Sequence, residues 1–163
     1  MRITIICFLV SLFSLSGISQ ELYKFKKGSK EGFINKSGEV MISAIYDDVD
    51  DFSENLAKVK IGSKYGYINS KGEQVIKIVY TRGTDFKEGL AAVRDENGWH
   101  YIDYNGDKNY DENCNYAYSF HEGLARLQVG VKFGYINKAG EMIISPQFDK
   151  AYDFHEGLAR VQI

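Results

Sequence analysis

Several groups of residues in this 163-residue chain have types and spacings that could do chemistry. Asp103, Asn105, Asp107 and Asn109 put oxygen side chains at alternate positions, as a calcium loop does. Such a loop also wants Gly at position 108 and Glu at 114, where this chain has Lys108 and Cys114. The acidic run Asp47-Asp48-Val49-Asp50-Asp51 reads as a solvated loop with room for an adventitious cation at most. His121 and His155 each precede Glu-Gly-Leu-Ala, so two imidazoles with Glu122 or Glu156 resemble a partial zinc set. No convincing third ligand joins them, and Ser53 and Lys87 fill the same slot elsewhere. Cys114 with His121 would make a nucleophile and base, but no orienting group or oxyanion donor accompanies the pair. The expectation is a chain without catalytic residues, metal or cofactor.

Composition narrows the class further. Lys+Arg 20 against Asp+Glu 22 gives a net charge of −2, too balanced for generic nucleic-acid binding. The hydrophobic share of 44% suits a folded chain rather than a disordered one. Abundant Gly (16), Tyr (12) and Phe (10) favour strands and tight turns over helices. At the N-terminus, Met1-Arg2 precedes an apolar run from Ile3 to Leu15 and a small-residue end, Ser16-Gly17-Ile18-Ser19. This is the pattern of a secretory signal peptide over residues 1–19, cleaved before Gln20. The alternative is an uncleaved anchor, but spanning a bilayer needs about 20 apolar residues, and Ser11 and Ser14 interrupt this run. Export to the periplasm, the cell surface or the medium is expected, with no transmembrane segment in residues 20–163. Those residues keep one cysteine, Cys114, so no internal disulfide can form.

What must position any site is a tandem repeat. Phe33, Tyr67, Tyr101 and Tyr135 recur every 34 residues, as do Gly38, Gly72, Gly106 and Gly140. Phe52, Phe86, Phe120 and Phe154 keep the same step, and so do Leu56, Leu90, Leu124 and Leu158. Residues 62–95 and 130–163 share 16 identities over 34 positions. The units are about 28–61, 62–95, 96–129 and 130–163, preceded by a partial unit, 22–27.

Each unit has a turn beginning with Asn or Asp and closing on Gly: 35–38, 69–72, 103–106 and 137–140. The first residue bonds the turn through its side chain, and Gly takes the left-handed closing position. Short β-rich runs flank it, so each pair reads as a hairpin. A third strand follows Phe-x-Glu-Gly-Leu-Ala. Asn55 stands where Gly89, Gly123 and Gly157 stand, which marks a left-handed residue. Beyond it Ala57, Val59 and Ile61 form one packed face and Lys58 and Lys60 a wet one. Ala125, Leu127 and Val129 repeat this, as do Ala159, Val161 and Ile163. The spacing predicts an all-β fold: an open, twisted stack of hairpin-plus-strand units, with a small closed propeller as the alternative. The pattern runs to Ile163 without a polar cap, as in a truncated array or an end that pairs with something.

Tyr65-Gly66-Tyr67-Ile68-Asn69-Ser70-Lys71-Gly72 resembles the signature of WG repeats, named for an aromatic-Gly pair before the hairpin turn. The Phe-x-Glu-Gly-Leu-Ala segments at 86–91, 120–125 and 154–159 resemble the second hallmark, and Pro146-Gln147-Phe148-Asp149 a linking segment. The likeness covers residues 22–163. Trp99 is followed by His100 instead of Gly, and Glu31 replaces the aromatic in the first copy. The resemblance implies a bacterial β-rich repeat protein, often exported, with no catalytic activity in the repeat and no transferable functional residues.

The expected role is therefore non-catalytic protein binding or scaffolding at the cell envelope, with the partner and oligomeric state unspecified by sequence. The alternative is binding of a carbohydrate or cell-wall polymer. That reading uses exposed aromatics and an outward basic ladder of Lys24, Lys26, Lys58, Lys60, Arg94, Arg126 and Arg160. Trp99, Tyr101, Tyr110 and Tyr116, with Arg94, Arg126 and Arg160, are the candidate ligand surface, although the repeated aromatics Tyr65, Tyr67, Trp99, Tyr101, Phe133 and Tyr135 read chiefly as inter-repeat core. The third copy differs from the rest: Asn109-Tyr110 replace Val75-Ile76 and Ile143-Ile144, so its strand is expected to be weak or bulged, with Tyr110, Tyr116 and Tyr118 in unusual surroundings. Intact mass of the protein recovered from its native host should correspond to a chain starting at Gln20; a chain starting at Met1 would refute cleavage.

Overall fold

The computed structural model describes residues 21–112 and 114–163, with side-chain burial described outside 110–113. The assigned signal peptide lies outside the described residues. Every regular element is a β-strand. The first sheet holds β1 (Leu22–Lys27), β2 (Lys30–Asn35) and β3 (Val40–Tyr46) in that order. The second holds β4 (Asp48–Val49), β5 (Leu56–Ile61), β6 (Lys64–Asn69) and β7 (Gln74–Tyr80). The third holds β8 (Arg82–Gly83), β9 (Ala91–Asp95), β10 (Gly98–Ile102) and β11 (Lys108–Glu112). The fourth holds β12 (Tyr116–His121), β13 (Leu124–Val129), β14 (Lys132–Asn137) and β15 (Met142–Phe148). Last comes a pair, β16 (Lys150–Ala151) with β17 (Val161–Gln162). All pairings are antiparallel and no sheet closes into a barrel, so the architecture is an open all-β repeat array.

One strand per unit escaped the sequence reading. The spacing predicts three, but β4, β8, β12 and β16 add a fourth beside the strand after the Glu-Gly turn. Two of its residues suffice to pair in three of the units, too few to leave an alternating pattern.

The core lies between copies. Phe33 and Ile42 of the first hairpin pack with Ala57, Val59 and Ile68 of the next sheet. Tyr67 and Ile76 pack with Ala91, Val93 and Ile102, and Tyr101 packs with Ala125, Leu127 and Ile136. In β9, Ala91 and Val93 face one cluster while Ala92 faces another, so an inner sheet is buried on both faces. Phe33–Phe52, Tyr67–Phe86, Tyr101–Phe120 and Tyr135–Phe154 meet with ring centroids 4.8–5.0 Å apart. Each such pair contributes about 0.5–1.5 kcal/mol beyond area burial. The expected packed trios are shorter than predicted: Ala57 and Val59 are buried but Ile61 is exposed, and Val129 likewise. In the last unit Val161 and Ile163 are exposed, because β17 has only β16 beside it.

The glycine after the aromatic has a steric cause. Between Phe33↔Ile42 and Glu31↔Tyr46, β3 inserts extra residues opposite Gly32 alone. That bulge brings its backbone over the glycine: a Cβ on Gly32 would lie 2.3 Å from the Ile42 carbonyl oxygen. Gly66 and Gly134 are covered in the same way, at 2.7 Å from the Ile76 and 2.5 Å from the Ile144 carbonyl oxygen. The third copy is bulged at Asn109 as expected, the register shifting between Tyr101↔Tyr110 and Ile102↔Lys108, but it lacks the bulge over the glycine position. There Trp99↔Glu112, His100↔Asp111 and Tyr101↔Tyr110 pair in unbroken register. It is the other three copies that carry this bulge, and the straight strand leaves room for the His100 side chain. Gly66→Ala should therefore lower stability by at least ~2 kcal/mol in urea unfolding. Gly157→Ala has open space and faces only its positive φ of 76°, so its cost should stay near ~1 kcal/mol. Equal effects would refute the steric account.

Candidate functional site

Chemistry in this molecule concentrates where copies meet. Ser53-Glu54-Asn55-Leu56 is a two-residue hairpin in which Ser53 and Leu56 exchange backbone bonds at 2.9 and 3.1 Å. Both central residues are left-handed, Glu54 at φ 52° and Asn55 at 71°. The same turn recurs at Glu88-Gly89, Glu122-Gly123 and Glu156-Gly157. Asn55 thus behaves as expected of a Gly substitute; the left-handed Glu beside it was not foreseen.

Two adjacent left-handed residues point successive N–H groups into one concavity, which is an anion site. The preceding repeat fills it. Glu54 accepts from the amides of Glu88 (2.7 Å) and Gly89 (3.0 Å), one on each carboxylate oxygen. Glu88 accepts from Gly123 at 3.0 Å, and Glu122 from Glu156 (2.7 Å) and Gly157 (2.8 Å). The Tyr104 hydroxyl adds a bond to Glu54 at 2.9 Å, and Lys138 lies 2.9 Å from Glu88. Burial pushes the Glu54 carboxyl up, but the Gly89 amide, Tyr104 and the Glu88 amide outweigh it and hold it below its ordinary value. Glu88 is lowered likewise, Lys138 and the Gly123 amide overcoming burial. Charge-assisted bonds of this kind exceed neutral ones in strength and offset the cost of a left-handed Glu.

A second tie joins the aromatics. Tyr67, Tyr101 and Tyr135 donate their hydroxyls to the carbonyls of Thr84 (2.6 Å), Tyr118 (2.7 Å) and Tyr152 (2.8 Å). A third is ionic: Lys24–Asp51 at 3.2 Å, Lys58–Asp85 at 3.3 Å and Arg126–Asp153 at 2.8 Å. Ala92 of the second copy and Ser119 of the third interrupt it.

The candidate ligand surface does not assemble. Trp99 is 6% and Tyr101 0% exposed, so both are core, and the Trp99 indole donates to the Asn115 carbonyl at 3.0 Å. This agrees with their reading as inter-repeat core and removes them from the alternative exposed platform; they pack because β10 is covered by the next sheet. Tyr116 is exposed, with its ring 6.2 Å from Trp99, and Tyr110 is placed only by its backbone pairing with Tyr101. Arg126 lies 4.0 Å over Tyr118, and Arg160 3.9 Å over Tyr152, in separate units. The expected wet basic face holds at Lys24, Lys26, Arg94 and Arg160, which are exposed, and is corrected at Lys58 and Arg126. The Lys58 side chain is 15% exposed and held by Asp50 and Asp85, and Arg126 by Asp153. Arg94 remains exposed.

Other sequence candidates have local duties. Asp103 accepts from the amides of Asn105 (2.8 Å) and Asp107 (3.0 Å), as Asn35, Asn69 and Asn137 do in their own turns. His121 faces Asp153 at 3.6 Å, and Cys114 packs on the core beside Trp99. Among the described residues no group of three His, Cys, Asp or Glu could hold a metal ion. A groove of about 550 Å³ is lined by Glu21, Asp51 and Glu54, but Glu54 binds turn amides and Asp51 faces Lys24.

A carboxylate held below its ordinary value contributes stability that is present above its unfolded value, near ~4.3 for Glu. That contribution is lost as pH falls through the lower folded value. Stability of the wild type should therefore drop on acidification below about pH 4, and Glu54→Gln should flatten that drop while lowering stability at pH 7. Parallel pH profiles for the two proteins, from urea midpoints, would contradict this.

A family model described as "WG containing repeat" matches residues 32–65, 65–99 and 133–163. Each of the three segments includes a bulge-covered glycine or its hairpin. The unmatched stretch 100–132 opens on His100, where the strand runs straight. Neither the curated proteins nor the solved structures provide a match. With most of its length matched, the chain belongs to the family of WG-containing repeat proteins.

Proposed function

We propose that this protein is an exported, non-catalytic scaffold that binds protein partners at the cell envelope. The observation that carries the reading is a recurrent apolar row on the outer strands. Met41, Val75 and Ile143 occupy equivalent positions on β3, β7 and β15, each strand is last in its sheet, and all three residues are exposed. Ile45 (56%) and Val79 (49%) add a second equivalent pair. The bulge over Gly32 and Gly66 turns these side chains outward while Ile42 and Ile76 stay buried. Exposed strand edges with apolar side chains accept an added strand or an apolar partner surface. The signal-peptide pattern of residues 1–19 supports the envelope address.

Binding of a neutral glycan by stacked aromatics has less behind it, since Trp99, Tyr67, Tyr101 and Tyr135 are buried. Hydrolysis would require two titratable groups converging in one cavity. The groove carboxylates described above are engaged in turn amides and an ion pair. Partners captured from the envelope by residues 20–163 should be lost, by tenfold or more, with Val79→Glu at an unchanged unfolding midpoint. Undiminished capture by that variant would overturn the apolar-row reading.

A further inference from the structure

The four copies allow each local charge pattern to be compared with its own repeats. In the first copy Lys30 bonds Asp47 at 2.8 Å, and in the fourth Lys132 bonds Asp149 at 2.6 Å. The second copy has the lysine, Lys64, but Thr81 where the aspartate belongs. The next residue changes too, from Asp48 in the first copy to Arg82. An Asp-Asp pair has become Thr-Arg.

The consequence is a concentration of positive charge. Arg82 pairs directly opposite Arg94 across β8 and β9, a like-charge cross-strand pair that costs stability in isolation. Lys60, Lys64, Arg82 and Arg94, with the hydroxyls of Ser63, Tyr65 and Thr81, line one open groove of about 380 Å³. No carboxylate among the described residues lines it. Among the described residues none of these four cations has a carboxylate within ion-pair distance, whereas Lys58 and Arg126 do. Lys60 lies 5.4 Å over the Tyr65 ring. The nearest acids have other duties or another face. Asp48 stands opposite Lys60 in register, and Asp47 holds Lys30 and the Gly62 amide and also feels the charge of Lys60. Asp95, which lines with Glu96 an adjoining groove that shares Lys64, accepts from the Asn97 amide, so Arg82 and Arg94 are the centre of the site. All this occurs on a chain of net charge −2, so it is a local feature and not a general basicity.

We propose that this groove is an anion site for a doubly or more highly charged oxyanion, a phosphate or sulfate group, gripped between Arg82 and Arg94. Guanidinium forks match tetrahedral oxyanions bidentately, the flanking lysines supply charge, and the Ser63 and Tyr65 hydroxyls supply further donors. The Thr81 hydroxyl donates to the Arg94 carbonyl at 3.0 Å. The anion screens the Arg82–Arg94 repulsion that the missing aspartate leaves in place. The site stands independently of the protein-binding reading.

Calorimetric titration of residues 20–163 with inorganic pyrophosphate, and separately with inorganic sulfate at matched ionic strength, tests it. Submillimolar, saturable binding of either is expected; the tighter of the two identifies a phosphoryl or sulfuryl source. Arg94→Gln should weaken binding tenfold or more. Thr81→Asp, which rebuilds the lysine partner present in the first and fourth copies, should do the same without lowering the unfolding midpoint. Lys36→Gln, in the first hairpin turn, should leave binding unchanged. Absence of saturable binding by either anion, or equal weakening by Lys36→Gln, would overturn the proposal.

Discussion

Everything else in this array depends on a carboxylate from one repeat reaching the backbone amides of the next. Hydrophobic burial alone would let neighbouring sheets slide, since it is proportional to area and indifferent to direction. The Glu54, Glu88 and Glu122 carboxylates remove that freedom, because each must meet amides of a left-handed turn one repeat further on. The contact is self-perpetuating: the residue that offers its backbone amide to the previous repeat offers its side chain to the following one. Given that fixed step, the tyrosine hydroxyls reach their carbonyls and the Phe rings meet the next aromatic at nearly constant spacing.

The third copy shows how much of the unit is dispensable. It loses the covering bulge, replaces the glycine with His100, and has Ser119 in place of the aspartate, with Ala92 in place of the cation in the copy before it. It keeps Glu122, Tyr101 and Phe120 in their places, and its Gly123 amide still meets Glu88 of the second copy. The inter-repeat ties survive while the outer strand diverges, so the stack and the outer surface can vary separately. That separation suits a scaffold whose working face is its outer edge, and it permits a charge change such as Thr81-Arg82 to arise in one copy without disturbing the others.

Much of this was legible in the residues. The 34-residue period, the Asn- or Asp-opened turns and the left-handed site at Asn55 all follow from local chemistry that a sequence displays. The bonds of the glutamate ladder are not legible in the sequence, because its partners are backbone amides, which leave no letter there. A signal did exist: Glu recurs in every copy at a turn position that suits Asn or Gly, against its own preference. The basic ladder misled because Asp51, Asp85 and Asp153 lie 27 residues beyond their cations and become neighbours only on stacking. The burial of Trp99 and Tyr101 agrees with the main sequence reading of the repeated aromatics as inter-repeat core, and only the alternative of an exposed platform loses them. An aromatic in an alternating strand looks half-exposed until both faces of its sheet are known to be covered. The groove at Arg82 and Arg94 needed the register of a two-residue strand that sequence did not reveal.

Native-state hydrogen exchange at the turn amides tests the carboxylate ladder most directly. Glu88, Gly89, Gly123, Glu156 and Gly157 lie in surface turns, where amides without partners exchange at nearly the free-peptide rate. The ladder predicts protection of these amides by at least about a hundredfold, the mark of a hydrogen bond that must open before exchange. Exchange of the same amides at the free-peptide rate would mean that the carboxylates do not hold the turns.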